Sequence, residues 1–103
     1  MIHIIYKQPN LPPRLMQIPN KLNVLQNLVG GDIQAKEIYK NIVMITSQDG
    51  QLREQDANFK YGFVTIYGPA IFAGIDRKKY ISIEPEQAGI ILDIIGGTDD
   101  IPS

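Results

Sequence analysis

The order of apolar and polar residues predicts two strands at the beginning of the chain. Residues 2–6 form a compact apolar run interrupted only by His3, which is typical of a strand. Three prolines follow within residues 9–13, and we expect a loop there because proline lacks a backbone donor and fixes φ. Residues 14–18 alternate loosely between apolar and polar types, which predicts a second strand at a sheet edge.

An amphipathic helix is predicted next. Leu22, Leu25 and Val29 recur at intervals of three and four residues, which places them on one face of a helix of about ten residues. Asn20 is a favourable N-cap residue. Gly30 is expected to end the helix in the left-handed conformation.

The middle of the chain predicts strands and one irregular stretch. Residues 33–39 alternate and predict a half-buried strand, whereas the apolar run at residues 42–45 is typical of a central strand covered on both faces. The turn signal at residues 49–50 predicts a return into a short strand at residues 51–52. Residues 53–61 are polar and charged, and we expect them to be the least regular part of the middle.

The pattern then predicts a run of strands. Residues 63–67 and 70–75 read as two strands separated by a break at residues 68–69. Residues 76–79 predict a hairpin turn, and residues 80–83 predict the returning strand.

A second helix is predicted from Pro85 to about Ile95, because proline suits the first helical position. Its apolar arc is wide, since Ile90 and Ile94 extend the stripe to roughly half the circumference or more. Either the helix lies in a concave sheet and is wrapped on three sides, or Ile90 and Ile94 contact another subunit. The sequence leaves both alternatives open.

These elements predict an α+β domain with a mainly antiparallel sheet, one central helix and one C-terminal helix, because no strand–helix–strand unit is repeated. The 18 isoleucines against seven leucines also favour a sheet. The length of 103 residues suits one domain. We expect this domain to span residues 1–97 and residues 98–103 to form a short flexible acidic tail. A core of this size is modest, so we also expect a homo-oligomer.

Composition narrows the functional classes. Lysine and arginine number 10 against 11 aspartates and glutamates, a balance that argues against strong nucleic-acid binding through phosphate contacts alone. Cysteine is absent, which excludes a disulfide framework and a thiolate nucleophile. No apolar run approaches the roughly 18 residues of a membrane-spanning helix. We therefore expect a cytoplasmic protein that does not contact a membrane.

Groups suited to catalysis are scarce. His3 is the only histidine, and one histidine in a strand is more often a surface residue than a general base. It also cannot supply a multi-histidine metal site. Ser47, Ser82 and Ser103 do not lie in the sequence context of a nucleophile elbow. We expect no enzymatic activity, no cofactor and no bound metal.

Binding chemistry remains. Cations beside aromatic rings can bind phosphates and stack on bases. The candidate ligand-binding residues combine these types with one amide: Arg53, Asn58, Lys60, Tyr61, Arg77, Lys79 and Tyr80. The alternative interpretation is a solvated hairpin tip and a polar loop, with Phe59 as a core residue.

One phrase of the sequence is specific enough to suggest a family. Residues 22–33 contain the pattern L-Q-x-x-V-G-G-x-I. The phrase resembles one in a family of small domains of unknown function carried by bacteriophages and mobile elements. An acidic-glycine turn at residues 49–50, Asn58 and the strand at residues 80–83 match that family more loosely. Its members usually have a proline near the asparagine, which is missing here.

The resemblance implies a phage or mobile-element origin and carries no established activity. With the candidate residues above, it leads us to expect a non-enzymatic protein that binds and sequesters a small nucleotide-type host defence signal, such as a cyclic nucleotide. The alternative is a small protein-interaction module that blocks a host protein. The first function needs a pocket with cations and aromatic rings, and the second needs an exposed apolar or charged patch.

Overall fold

A computed structural model describes residues 1–50 and 55–95, and these residues form an α+β domain, as predicted. The strands are β1 (Ile2–Lys7), β2 (Arg14–Ile18), β3 (Ile33–Tyr39), β4 (Ile42–Ser47), β5 (Ala57–Tyr61), β6 (Val64–Tyr67), β7 (Ala70–Asp76) and β8 (Lys79–Ile81). The helices are α1 (Leu22–Val29) and α2 (Pro85–Ile94). The predicted strand at residues 51–52, the candidate Arg53 and the predicted tail at residues 98–103 lie outside the described residues.

The main sheet is antiparallel and has the strand order β2-β1-β7-β4-β3, with β8 paired to the last residues of β7. Strand β4 lies between the central strand β7 and the edge strand β3, and it is buried along its whole length. The apolar run at residues 42–45 thus forms a strand covered on both faces, as predicted. Strands β5 and β6 form a separate antiparallel hairpin.

The sheet is covered on both faces. On one, which we call the α1 face, Leu25 and Val29 of the helix pack in a buried cluster with Ile4, Val43 and Ile71. On the other, the α2 face, helix α2 and the β5–β6 hairpin share the coverage of a second buried cluster. Three layers therefore enclose two cores, one on each side of the central strands.

Two details of α1 differ from the sequence prediction. Asn20 does not cap the helix: Lys21 occupies the N-cap position, and the Asn20 side-chain amide instead donates to the Tyr80 carbonyl at 2.9 Å. Leu22 is 58% exposed, whereas Leu25 and Val29 are buried as expected and Val24 packs against the same cluster. Gly30 ends the helix at φ 82°, which confirms the left-handed stop.

The expectation of an irregular stretch at residues 53–61 is wrong for its second half, which forms β5. Phe59 and Tyr61 alternate with exposed Lys60, so the strand has one apolar face that packs on the second cluster. Phe63, predicted within a strand, lies in the two-residue turn of the β5–β6 hairpin and is fully exposed. Gly62 precedes it at φ 66°, a conformation that glycine adopts readily.

The end of the chain follows the prediction with one adjustment. Strand β8 ends at Ile81 and not at Ile83. The Ile83 N–H donates to the carbonyl of His3 in β1, at 2.8 Å. Pro85 begins α2 as predicted, and the Gln87 side-chain oxygen accepts the N–H of Glu84 at 2.9 Å. Neither of the two described helices is long and apolar enough to cross a membrane.

Candidate functional site

The structure separates the described candidate ligand-binding residues into two groups, one on the β5–β6 hairpin and one at the β7–β8 turn. Asn58, Lys60 and Tyr61 belong to the β5–β6 hairpin, which covers the α2 face. Tyr80 packs against the cluster of the α1 face, next to the β7–β8 turn. The candidates are not brought together in one site.

The amide of Asn58 is engaged inside the fold. Its nitrogen donates to the carbonyls of Lys7 and Gly68 at 2.8 and 2.9 Å. Its oxygen accepts a hydrogen bond from the Lys7 ammonium at 2.8 Å. Both amide hydrogens are thus used. This arrangement fastens β5 to the ends of β1 and β6, and it leaves the Asn58 donors unavailable to a ligand without loss of these contacts.

Lys7 is a buried cation that sequence reasoning missed. Its ammonium donates to the Gln8 carbonyl at 2.8 Å as well as to Asn58. Only 9% of the residue is exposed, and burial lowers the pKa of its ammonium below the ordinary value of 10.5. The signal in the sequence was its position two residues after Ile5, which places both side chains on the α2 face.

Tyr61 is held in a fixed orientation. Its hydroxyl donates to the Ile38 carbonyl at 2.9 Å, and its ring packs against the second cluster. Lys60, one residue earlier, is exposed and points to the outer side of the hairpin, since the inward positions of β5 are Phe59 and Tyr61. The two neighbours therefore face different environments.

The β7–β8 turn presents an exposed cationic surface. Arg77 and Lys78 occupy the two turn positions at φ 52° and 68°, and Arg77, Lys78 and Lys79 are all exposed. Tyr80 is half-buried, and the residue is fixed by the hydrogen bond that its carbonyl accepts from Asn20. The turn is an exposed hairpin tip, as the alternative interpretation of the sequence expected.

A groove of about 210 Å³ lies on the α2 face between the β5–β6 hairpin and the outer strands β3 and β4. Met44, Val64 and Ile66 give it apolar surface, and Tyr61 adds an aromatic ring. The remaining lining residues are Gln34, Ala35, Lys36 and Thr46. The groove thus combines one of the predicted candidates, Tyr61, with a cation that the sequence analysis did not select.

The polar side of this groove comes from β3. Lys36 lies opposite Met44 in the β3–β4 ladder, which places both side chains on the α2 face. Gln34 lies opposite Thr46, and its amide donates to the Thr46 hydroxyl at 3.3 Å. No carboxylate lies among the lining residues, so Lys36 makes this part of the groove cationic.

Strand β3 is also an open edge of the main sheet. It pairs only with β4 among the described strands, and residues 34–37 are exposed on both faces. The Gln48 N–H donates to the Asp32 carbonyl at 2.8 Å. This bond shows that the backbone groups of Asp32 face β4. In an antiparallel pair every second residue faces the partner strand, so the backbone groups of Lys36 also face β4, and those of Ala35 and Glu37 point away from it.

Helix α2 buries part of the surface that the sequence analysis considered for contact with another subunit. Ile91 is wholly buried, and Ile94 is partly buried against the same cluster. Ile90 is half-buried and lies outside both buried clusters. The contact of Ile90 and Ile94 with another subunit stays a prediction, in which Ile94 would have only part of its surface to offer.

Comparison with known proteins gives a family and no activity. No curated protein and no solved structure matches the chain. A family model matches residues 2–96, which span all the described strands and helices. The chain therefore belongs to the family described as a domain of unknown function, DUF3846.

Proposed function

We propose that this domain is a non-catalytic binding protein that holds a small anionic ligand with a planar ring, of the nucleotide type, in the groove on its α2 face. The observation that carries the proposal is the meeting of Tyr61 and Lys36 around an apolar surface. An aromatic ring offers stacking to a base, and an ammonium offers charge-assisted hydrogen bonds to a phosphate. Few convergent polar groups on an apolar lining are typical of small-molecule sites.

The fixed orientation of Tyr61 supports this function. Because its hydroxyl is bonded to Ile38, the ring does not have to be ordered when a ligand arrives. Ordering a free side chain costs about 0.5–1.5 kcal/mol on binding. The site is therefore organised in advance on its aromatic side, whereas exposed Lys36 is free to adjust to the ligand.

The chemistry of the lining argues against a reaction. Lys36 and Tyr61 are its only ionisable side chains, and the phenol hydrogen is already donated to a carbonyl. A general acid or base must reach the proton that it transfers. We propose that the ligand is held unchanged, as sequestration of a host nucleotide signal by a phage or mobile-element protein would require.

Calorimetry with a panel of cyclic dinucleotides and cyclic and linear mononucleotides tests this function. Lys36→Ala and Tyr61→Leu should each weaken binding about tenfold or more, since such contacts contribute roughly 1–3 kcal/mol. Lys60→Ala is the matched control, because it removes the same charge from the outer side of the hairpin and should leave affinity unchanged. Ligand recovered after denaturation should be chemically intact.

Two outcomes would contradict the proposal. Binding that responds to Arg77→Ala or Lys79→Ala but not to Lys36→Ala would place the site at the β7–β8 turn. Absence of binding by the wild-type chain across the whole panel would remove the nucleotide function.

A second function has its own observation. Phe63 is fully exposed at the tip of the β5–β6 hairpin, and the adjacent Val64 is 55% exposed. An exposed aromatic residue on a hairpin tip can act as an anchor in a protein interface. If no nucleotide binds, the blocking of a host protein through this tip becomes the leading proposal. Phe63→Ser should then abolish the inhibition of that host protein without unfolding the domain.

A further inference from the structure

We propose that β3 pairs in antiparallel orientation with β3 of a second copy of the chain, centred on Ala35, and that this pairing completes the groove. The part that concerns the groove rests on the proposed function. The pairing itself rests on the geometry of the edge strand.

The first step is the open edge. The backbone N–H and C=O groups of Ala35 and Glu37 point away from β4, and the side chains of residues 34–37 are exposed on both faces. A strand placed beside β3 would therefore find backbone groups without a partner strand, and no covering side chains, among residues 1–50 and 55–95. Such an edge is a ready template for another strand.

The second step separates β3 from the other edge of the sheet. Strand β2 has five residues and lies between Pro13 and Pro19. Prolines at an edge hinder further pairing because they cannot donate to a new ladder. Strand β3 has seven residues and contains no proline. Its charged side chains, Lys36 and Glu37, are the feature that a partner strand has to accommodate.

The third step is the register that a second copy would adopt. With Ala35 opposite Ala35 of the partner, Lys36 lies opposite Gln34 and Glu37 lies opposite Ile33, so no like charges meet. A shift of the pairing that placed Lys36 against Lys36 would be destabilised by repulsion. The two small alanine side chains at the two-fold axis both lie on the α1 face and leave space there. The charges on β3 therefore allow self-pairing centred on Ala35 and disfavour pairing centred on Lys36.

The fourth step is the consequence for the groove. A two-fold axis perpendicular to the sheet puts both grooves on the same face, side by side. Lys36 of the partner then lies opposite Gln34, with Cβ atoms roughly 5 Å apart. Each groove, which at about 210 Å³ is small for a nucleotide, gains a second ammonium at its open side. A ligand with two phosphates could contact one Lys36 from each chain.

The oligomeric state in solution tests the pairing. Sedimentation should show a dimer for the wild type and a monomer for Ala35→Pro, with the folded circular dichroism spectrum retained. Ile90→Lys is the control for the alternative interface on α2 and should remain dimeric. A wild type that sediments as a monomer at every accessible concentration would overturn the proposal, as would a dimer that Ala35→Pro leaves intact.

A cysteine reporter tests the register, because the chain has no cysteine of its own. Directly opposed, hydrogen-bonded residues have Cα atoms about 5.5 Å apart, within the range that a disulfide spans. Ala35→Cys should therefore cross-link under mild oxidation, whereas Lys60→Cys on the outer side of the hairpin should not. Equal cross-linking of the two variants would refute the register.

The same samples distinguish this inference from the proposed function. A monomer that binds a cyclic dinucleotide through Lys36 would refute the pairing and leave the ligand site standing. A dimer that binds nothing in the panel would refute the ligand site and leave the pairing standing. If both hold, dilution of the wild type to the monomer should weaken its affinity for a ligand with two phosphates about tenfold and that for a mononucleotide much less, since only the larger ligand reaches the second Lys36.

Discussion

A buried ammonium without a described carboxylate partner is the most unusual residue-scale feature of the domain. Lys7 bonds only to a carbonyl and to the Asn58 amide oxygen among the described residues. Its burial disfavours the charged form, which is why the pKa is lowered. The pair nevertheless fixes the β5–β6 hairpin to the sheet, and with it Tyr61. The position of the groove therefore depends on an interaction that carries a cost in stability near neutral pH.

The pH dependence of stability follows from this cost. Between the lowered pKa of folded Lys7 and the ordinary 10.5 of the unfolded chain, the unfolded state holds a proton that the folded state has released. The free energy of unfolding of the wild type, relative to Lys7→Met, should therefore rise as pH increases through that window. Urea unfolding of both proteins at a series of pH values measures the difference. Burial also raises the pKa of Tyr6, but Tyr6 is present in both proteins, so its contribution cancels in the difference between their free energies of unfolding.

A flat or falling difference would show that the Lys7 ammonium is not penalised by burial. A control for the hydrogen bonds alone is Asn58→Ala, which removes the amide partner and leaves the ammonium in place. It should lower stability at all pH values in the window.

Two leucines of α1 give a matched test of the core. Leu25 is buried and Leu22 is 58% exposed, although both lie on the face that the sequence pattern assigned to the core. Leu25→Ala should cost about 2–5 kcal/mol because it leaves a cavity, whereas Leu22→Ala should cost roughly 0.5 kcal/mol or less. Denaturant unfolding measures both. Similar losses for the two variants would contradict the observed position of the helix.

At the scale of elements, strand β4 shows what the sequence pattern could predict. Its continuous apolar run has few structural alternatives, and the observed strand is an interior strand buried on both faces. Strand β5 was missed because Asn58 and Lys60 make it look polar. The ladder shifts register between Ala57 and Phe59, and the Asn58 side chain bonds to Lys7, 51 residues earlier. No local pattern records such a contact.

The orientation of β3 can be tested within the element. Lys36→Pro removes a backbone donor that faces Met44 of β4, whereas Ala35→Pro removes one that points away from the sheet. We expect Lys36→Pro to lose about 1 kcal/mol more than Ala35→Pro. Unfolding must be measured at a protein concentration at which both variants are monomeric. The reverse order of stability would show that the ladder is shifted by one residue.

At the scale of the whole molecule, the candidate site was only half predictable. Tyr61 was selected because an aromatic ring beside the cation Lys60 can stack on a base. Lys36 was not selected, since its place in the groove depends on two separate pairings, of β3 with β4 and of β5 with β6. Arg77, Lys79 and Tyr80 were selected for their chemistry alone. Tyr80 packs on the α1 face, away from the groove, and none of the three lines the groove. Residue types were readable from the sequence, but their convergence was not.

The binding of a nucleotide in the groove is the central claim, and amide chemical-shift mapping tests it most directly. A labelled sample of the full chain is titrated with each member of the nucleotide panel. We expect the largest shifts to fall on the residues that line the groove, at positions 34–36, 44, 46, 61, 64 and 66, and to disappear in Lys36→Ala. Shifts confined to residues 77–80, or no shifts with any member of the panel, would contradict the account.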